Sequence, residues 1–202
     1  MAQAQRKRDP EAARARILDA AKTLLAEGDG NLEMSWVTKA AGVSQGLAYH
    51  HFGSKEGLLV AVVNDFYDRV ESAAMMLRFD DGAGWEAREM ERVRMYIDFL
   101  LTDPLGIVVL SRLAHAPGVA AVEAERWQKL VSVGGRNIAD GQRRGVVRAP
   151  QDPELLAAMV LGAVRAAVSR LLPQRGEVDA AQLAQDIWQY QRRGLCLEEE
   201  DR

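Results

Sequence analysis

The chain has 202 residues and a formal net charge of −3, which is room for one good core or for a small module joined to a larger one. The mildly acidic balance excludes a basic coat for nucleic acid, and the single cysteine, Cys196, excludes a disulfide framework and a cysteine-based metal site. We find no apolar run near the ~18 residues of a membrane span and no secretory signal in "MAQAQRKRDP", so we expect a soluble cytoplasmic protein without membrane contact.

The first predicted helix begins at Pro10, with Asp9 as its N-cap, because proline is favoured at the first helical position. The glycines of "GDGN" at 28–31 end it. The basic residues "RKR" at 6–8 precede the helix and could form a flexible contact to phosphates or to the minor groove, or a solvated tail. The apolar stripe of this helix consists of Ile17, Ala20, Ala21, Leu24 and Leu25.

Two short helical segments, about 34–41 and 45–51, are joined by "AGVS" and have the layout of a helix-turn-helix. Gly42 suits the tight turn because it tolerates the left-handed conformation, Val43 can pack the turn against Val37, and Ser44 can cap the second segment. That segment combines small residues with a few hydrogen-bond donors, as a helix that enters the major groove requires.

The remaining pattern is helical throughout. Ser54 can cap a long helix, and five more helices follow Gly84, with breaks at 103–104, 117–118, 145–153 and 173–177. No alternating strand pattern exceeds a few residues. The sequence therefore predicts an all-α protein of about nine helices, with a helix-turn-helix domain at 1–53 and a C-terminal domain at 54–202.

The stretches "ILDAAKTLLAEG" and "VTKAAGVSQGLAYHHFGSKEGLLVAV" resemble the N-terminal domain of TetR-family transcriptional regulators. The resemblance covers roughly residues 14–63, whereas the rest of the chain resembles the family in its layout of long helices. It implies a DNA-binding head and a C-terminal domain that binds a small-molecule effector and forms a homodimer.

The resemblance also indicates which residues contact double-stranded DNA. Gln45 could pair with adenine or reach a phosphate. Tyr49 and His50 are placed to donate to phosphates, and Lys55 lies at a helix N-terminus, which favours a phosphate. Leu47 replaces a hydrogen-bonding residue of the family and could contact a thymine methyl, while Glu33 is a poor cap that we do not expect to touch DNA. The expected DNA-binding set is Ser44, Gln45, Gly46, Leu47, Tyr49, His50 and Lys55.

The segment 153–172 is apolar on more than one side, so more than its own core must bury it. Together with the last helix it could form half of an intersubunit four-helix bundle, although it could also be the central helix of a monomer. The expected dimer interface consists of Ala158, Leu161, Gly162, Ser169, Leu183, Ile187 and Tyr190.

The effector pocket is predicted less directly, because methionine and aromatic stripes also form ordinary cores. Gly134 and Gly135 lie in mid-helix, where each costs about 1 kcal/mol relative to alanine, so something is expected to pack closely there. Arg112 and Arg165 could meet an anionic ligand or a carboxylate across the dimer. The candidate pocket residues are Met95, Phe99, Arg112, Trp127, Leu130, Val131, Ile138, Met159 and Arg165.

The function that we infer from these patterns is a ligand-responsive repressor, which binds a near-palindromic operator as a homodimer and responds to a largely apolar small molecule. No cofactor, metal site or enzymatic activity is expected, since His50 and His51 point apart and His115 is isolated. The alternatives are an activator or architectural DNA binder without an effector, and a helical ligand-binding protein or enzyme with a vestigial DNA-binding head.

Overall fold

The computed structural model describes residues 10–28, 30–75, 82–113 and 118–197. The predictions for Asp9, for the basic residues 6–8 and for His115 lie outside these ranges. The described residues form eight α-helices: α1 (Pro10–Glu27), α2 (Met34–Ala41), α3 (Gln45–Phe52), α4 (Lys55–Val70), α5 (Trp85–Thr102), α6 (Val119–Arg143), α7 (Pro153–Leu171) and α8 (Ala180–Leu195).

Three shorter helical segments complete the architecture. A π-helical turn at Glu71–Met75 continues α4, a second π-helical segment spans Val108–Leu113, and a 3₁₀ segment at Leu172–Glu177 follows α7. In the described ranges, the β contact is an isolated antiparallel bridge between Val147 and Cys196. The prediction of an all-α fold with about nine helices is confirmed. The eight α-helices of the described ranges and the separate π-helical segment at 108–113 together correspond to the nine predicted helices.

Helices α1, α2 and α3 pack together as a small head. The stripe predicted on α1 supplies Ile17, Ala21 and Leu25 to the interior, where α2 adds Val37 and α3 adds Ala48. Because both α2 and α3 have eight residues, their stability comes from this packing rather than from helix propensity. The core of the head therefore fixes the position of α3 relative to α1 and α2.

The C-terminal domain is built around the pair α6 and α7. A Cβ added to Gly134 would lie 3.1 Å from Ala157 Cβ, and one added to Gly135 would lie 2.8 Å from Glu154 Cγ. The close packing predicted at these two glycines is confirmed, and its cause is the approach of α7. Helix α8 closes the domain, where Trp188 packs against Trp85 of α5 with ring centroids 6.4 Å apart.

The prediction that no segment is apolar enough to span a membrane is wrong by length and composition, because Pro153–Gln174 meets both criteria. Core helices of water-soluble proteins also meet them. In this segment 28% of the apolar window is buried within the protomer. Helix α7 therefore keeps much of its apolar surface uncovered by its own chain.

Candidate nucleic-acid interface and effector cavity

Local turn chemistry sets the position of α3. Gly42 adopts a left-handed φ of 63°, and Ser44 caps α3 by accepting a hydrogen bond from the Leu47 N–H at 3.3 Å. Ala48 and Phe52 anchor the helix in the core, and the Arg14 guanidinium lies 5.1 Å from the centroid of the Phe52 ring. The turn and cap predicted from the sequence are confirmed, and so is the inward packing of Phe52.

The opposite face of α3 is open to solvent. Ser44, Gln45, Gly46, Tyr49 and His50 are exposed, whereas Leu47 is half-buried. A Cβ added to Gly46 would meet no atom within 4 Å. Five of the seven residues predicted to bind DNA are therefore accessible at the outer side of α3. Because Gly46 has no side chain, another molecule can approach the backbone of α3 closely there.

The start of α4 borders this surface. Ser54 caps α4 by accepting a hydrogen bond from the Gly57 N–H at 3.0 Å, as predicted. The side chain of Lys55 is 42% exposed, and its Nζ lies 3.8 Å from a carboxylate oxygen of Glu33. Glu33 makes no side-chain cap on α2, which confirms that it is a poor cap. Its charge is partly compensated by Lys55.

Ionic contacts join the head to the C-terminal domain. Lys22 Nζ of α1 lies 3.4 Å from Asp65 of α4, whose carboxylate also accepts from Arg69 Nε at 3.0 Å. Arg69 in turn pairs with Asp103 after α5. In addition, Arg112 donates to the Gly28 carbonyl at 3.1 Å. The predicted pocket residue Arg112 thus contacts the end of α1.

A cavity of ≈ 40 Å³ lies inside the C-terminal domain, between α5, α6, α7 and the π-helical end of α4. Met75, Val93 and Val164 supply apolar walls, and the polar groups are those of Glu89, Arg92, Tyr96 and Asn137. Of the candidate pocket residues, Ile138 lines this cavity, as does Gly134, whereas the other candidates do not. These polar residues could not be predicted from the sequence because charged residues on a helix such as α5 usually form its solvent-exposed face.

Burial perturbs the acidic groups at this cavity. Desolvation raises the pKa of Glu89 above its ordinary value, although the neighbouring Arg92 opposes the shift through its charge and its hydrogen bond. Burial likewise raises the pKa of Tyr96. The cavity therefore offers a tyrosine hydroxyl and a carboxyl group beside apolar side chains, and burial raises the pKa of both groups.

A second buried polar cluster lies between α4, α6 and α7. Arg165 donates to Glu123, and the Tyr67 hydroxyl donates to the same carboxylate at 3.4 Å. The Arg165 guanidinium lies 5.4 Å from the centroid of the Trp127 ring, and burial raises the pKa of Tyr67 to about 12. The carboxylate partner of Arg165 thus belongs to its own chain, and it is neither of the two partners considered from the sequence, an anionic ligand or a carboxylate across the dimer.

Two residues of α7 lie on the opposite faces of the helix from those that we predicted. Met159, assigned to the pocket, is 63% exposed on the outer face, whereas Leu161, assigned to the dimer interface, is buried and lines the cavity. The reason is that α7 is apolar on both sides, so its pattern does not reveal which side faces inward. Of the other pocket candidates, Met95, Phe99, Trp127 and Val131 are partly buried against the core.

The outer face of α7 and α8 carries three of the six large apolar side chains that are exposed among the described residues. Leu155, Met159 and Tyr190 are all exposed, Tyr190 to 76%, and beside them lies a groove of ≈ 530 Å³. The predicted interface residues Ala158, Gly162, Ser169, Leu183 and Ile187 are half-buried on these two helices. Exposed apolar patches of this kind mark interaction surfaces.

A helix-turn-helix whose second helix has an open outer face, followed by a larger set of long helices, defines the class of helix-turn-helix proteins. Residues 17–62 match the family described as "Bacterial regulatory proteins, tetR family". These residues therefore form a TetR-family domain, and the resemblance carried by the sequence is confirmed.

Relatives and solved structures extend the similarity beyond the head. The chain is 30% identical over 146 residues to the HTH-type transcriptional regulatory protein RaaS of Mycobacterium tuberculosis, a match that covers 72% of this chain and 64% of that protein. The fold is that of FadR from Bacillus halodurans (23% identity, TM-score 0.76, covering 94% and 98% of the two chains). It is equally that of Bacillus subtilis FadR in complex with stearoyl-CoA (20% identity, TM-score 0.75, covering 90% and 98%).

Among the described residues, no group of three or more His, Cys, Asp or Glu side chains is arranged to hold a metal ion. The neighbouring rings of His50 and His51 have centroids 5.6 Å apart and are inclined by 65°. Both belong to α3, and His50 is exposed.

Proposed function

We propose that the protein is a DNA-binding transcriptional regulator, most simply a repressor, whose affinity for its operator changes when a small molecule binds in the C-terminal domain. One observation carries this proposal. Helix α4 begins three residues after the recognition helix α3 ends, and its π-helical continuation ends at Met75, which lines the internal cavity. A single helix thus links the surface that we propose to read DNA to a cavity that a ligand would have to enlarge.

A homodimer is the proposed working form. The uncovered apolar face of α7 and α8 would be buried against the same face of a second copy, since isologous twofold interfaces use one patch on both subunits. Two recognition helices would then enter successive major grooves about 34–36 Å apart, and the operator would be a near-palindrome. A dimer on such a site would block access to a promoter that overlaps it.

The proposed effector is a largely apolar small molecule, and RaaS and FadR support a regulatory role for the same fold. Bacillus subtilis FadR was solved with stearoyl-CoA, which shows for that protein that the fold accommodates an acyl chain. In this chain a ligand would enlarge the cavity beside Met75 and shift α4. A coupling free energy of 1–3 kcal/mol would change operator affinity by a factor of about 5–150, and DNA would change ligand affinity by the same factor.

The rival functions remain distinguishable by their consequences. An activator or architectural DNA binder without an effector would show no increase in melting temperature with any small molecule. A ligand-binding protein with a vestigial head would bind ligands but would not select a DNA sequence. The regulator that we propose would act on DNA in the cytoplasm, and this function would require no catalytic group.

The test is selection of bound sequences from random duplex DNA at two salt concentrations, followed by affinity measurements with Gln45→Ala. We expect a palindromic consensus, binding that weakens steeply with salt, and a loss of sequence preference in the variant. Enrichment no greater than that of non-specific binding would contradict the proposal. Leu18→Val, a conservative change of a half-buried residue in α1, serves as the control because it leaves the surface of α3 unaltered.

A further inference from the structure

Most large exposed apolar side chains among the described residues are accounted for by the sites above. Leu155, Met159 and Tyr190 belong to the proposed dimer face, and Tyr49 belongs to the recognition helix. Met90 on α5 is exposed singly, which is ordinary for a surface. Trp36 on α2 is different, because it is a large aromatic side chain, 54% exposed, within the DNA-binding head.

The orientation of Trp36 follows from the burial pattern of α2. Met34, Val37, Thr38 and Ala41 form the buried side of this helix. Trp36 lies on the opposite side, together with the exposed Ser35 and Lys39. Because Trp36 is the third residue of α2, it also lies in the first turn, at the end of the helix where Glu33 approaches Lys55 of α4.

We propose that Trp36 contacts the sugar-phosphate backbone of the operator at the edge of each half-site. This inference rests on the proposed function. In helix-turn-helix proteins the first helix crosses the DNA backbone while the second enters the groove. An indole on the outer side of that first helix presents a planar apolar ring to the deoxyribose and one N–H donor to a phosphate oxygen.

The neighbouring charges agree with this role. Lys39 is exposed on the same side of α2, and Lys55 lies close enough to Glu33 to offset its repulsion of phosphate. The sequence of the head is barely positive, with eight Lys and Arg against seven Asp and Glu in residues 1–60, so we expect neutral donors to supply part of the backbone contact. A neutral donor releases no counterion, and its loss therefore weakens binding without changing the dependence of affinity on salt.

The first experiment compares operator affinity for the wild type, Trp36→Ala, Trp36→Phe and Met90→Ala at several salt concentrations. We expect Trp36→Ala to weaken binding about tenfold with the same salt slope, and Trp36→Phe to weaken it less because the ring remains. Met90→Ala, a matched exposed apolar residue on α5, should bind as the wild type does. Thermal unfolding of each variant verifies that the head still folds.

The second experiment uses tryptophan fluorescence. All four tryptophans lie in described segments, and Trp36 alone is exposed, since Trp85 and Trp188 are buried and Trp127 is half-buried. Acrylamide quenching therefore reports mainly on Trp36. We expect operator DNA to protect the quenchable fraction in the wild type, and this protected fraction to be missing in Trp36→Phe.

The outcomes separate this inference from the proposed function. If the wild type binds an operator but Trp36→Ala binds equally well, or if Trp36 remains quenchable in the complex, the contact is absent and the proposed function stands. In that case the exposed indole is available to a protein partner instead. If the wild type selects no DNA sequence, both the proposed function and the contact are refuted.

Discussion

Arg165 of α7 and Glu123 of α6 form a partly buried ion pair, and the buried carboxylate of Glu123 also receives a hydrogen bond from Tyr67 of α4. The pair therefore ties together the three helices that surround the core of the C-terminal domain. Replacing a buried pair by apolar residues is often tolerated, but removing one partner leaves an uncompensated charge.

We expect Glu123→Ala to destabilise the protein by about 3 kcal/mol, because Arg165 would lose its carboxylate partner. Glu123→Gln keeps an acceptor for both neighbouring groups and should cost clearly less. The measurement is urea-induced unfolding at one protomer concentration, since stability of a dimer depends on concentration. Equal losses for the two variants would contradict this expectation, since they would show that the charge of Glu123, and not its capacity to accept hydrogen bonds, makes the contribution.

Gly46 separates the requirements of folding from those of DNA binding. Its added Cβ would meet no protein atom, so Gly46→Ala should stabilise the protein by about 0.5 kcal/mol through reduced freedom of the unfolded chain. The same methyl would stand between α3 and the DNA, and we expect operator affinity to fall about tenfold. Thermal unfolding and an operator titration measure the two effects.

The matched variant is Gly141→Ala, at another helical glycine. Here the added Cβ would lie 2.5 Å from Val147 Cγ2 and 2.7 Å from Trp85 Cε2, so the variant should lose about 1–3 kcal/mol of stability through overpacking. When folded, it should bind DNA normally. Unchanged DNA affinity in Gly46→Ala would show that α3 does not approach its target closely.

Met159→Glu tests the apolar face of α7. A carboxylate at this exposed position would be desolvated in a twofold interface, where it would also approach its own copy. We expect the dimer to dissociate in sedimentation equilibrium and operator binding to weaken strongly, while the helical content remains that of the wild type. Met90→Glu, at an exposed methionine away from this face, should remain dimeric. A dimeric Met159→Glu protein would place the interface elsewhere.

Glu89 should make stability depend on pH. Because desolvation raises the pKa of Glu89 in the folded state, the native protein binds more protons than the unfolded chain between the ordinary and the raised pKa. Its free energy of unfolding therefore falls as pH rises through that window. The measurement is the difference in unfolding free energy between wild type and Glu89→Gln from about pH 4, near the ordinary pKa of a glutamate, up to about neutral pH.

We expect that difference to favour the wild type increasingly as pH falls, because the wild-type carboxyl of Glu89 takes up a proton on folding and the amide of the variant does not titrate. The other titrating groups are common to both proteins and cancel. A difference that stays constant with pH would show that Arg92 compensates the burial of Glu89 fully.

The head could be predicted closely because its signals are local. Gly42 needs a left-handed conformation and Ser44 and Ser54 cap the helices that follow them, so each sets a helix boundary within a few residues of sequence. The observed α3, Gln45–Phe52, differs from the predicted 45–51 by one residue. Such features depend on backbone chemistry rather than on distant packing.

The C-terminal domain was harder to predict because its contacts join distant parts of the chain. The partner of Arg165 lies 42 residues away, and Arg112 reaches a carbonyl 84 residues away. No periodicity encodes such pairs. In α7, apolar residues on both sides left its rotation undetermined, which is why Met159 and Leu161 were assigned to each other's faces.

The continuous helix at 55–75 is about 30 Å long at the rise of an α-helix, so a tilt of about 5° at the cavity displaces its other end by roughly 3 Å. A helix of this kind transmits only a change of angle, and that change does not depend on which ligand in the cavity causes it. In the regulator that we propose, substitutions around the cavity would therefore alter which ligand is bound while the DNA-binding surface of α3 stays the same. The converse would also hold, so the two surfaces could change independently.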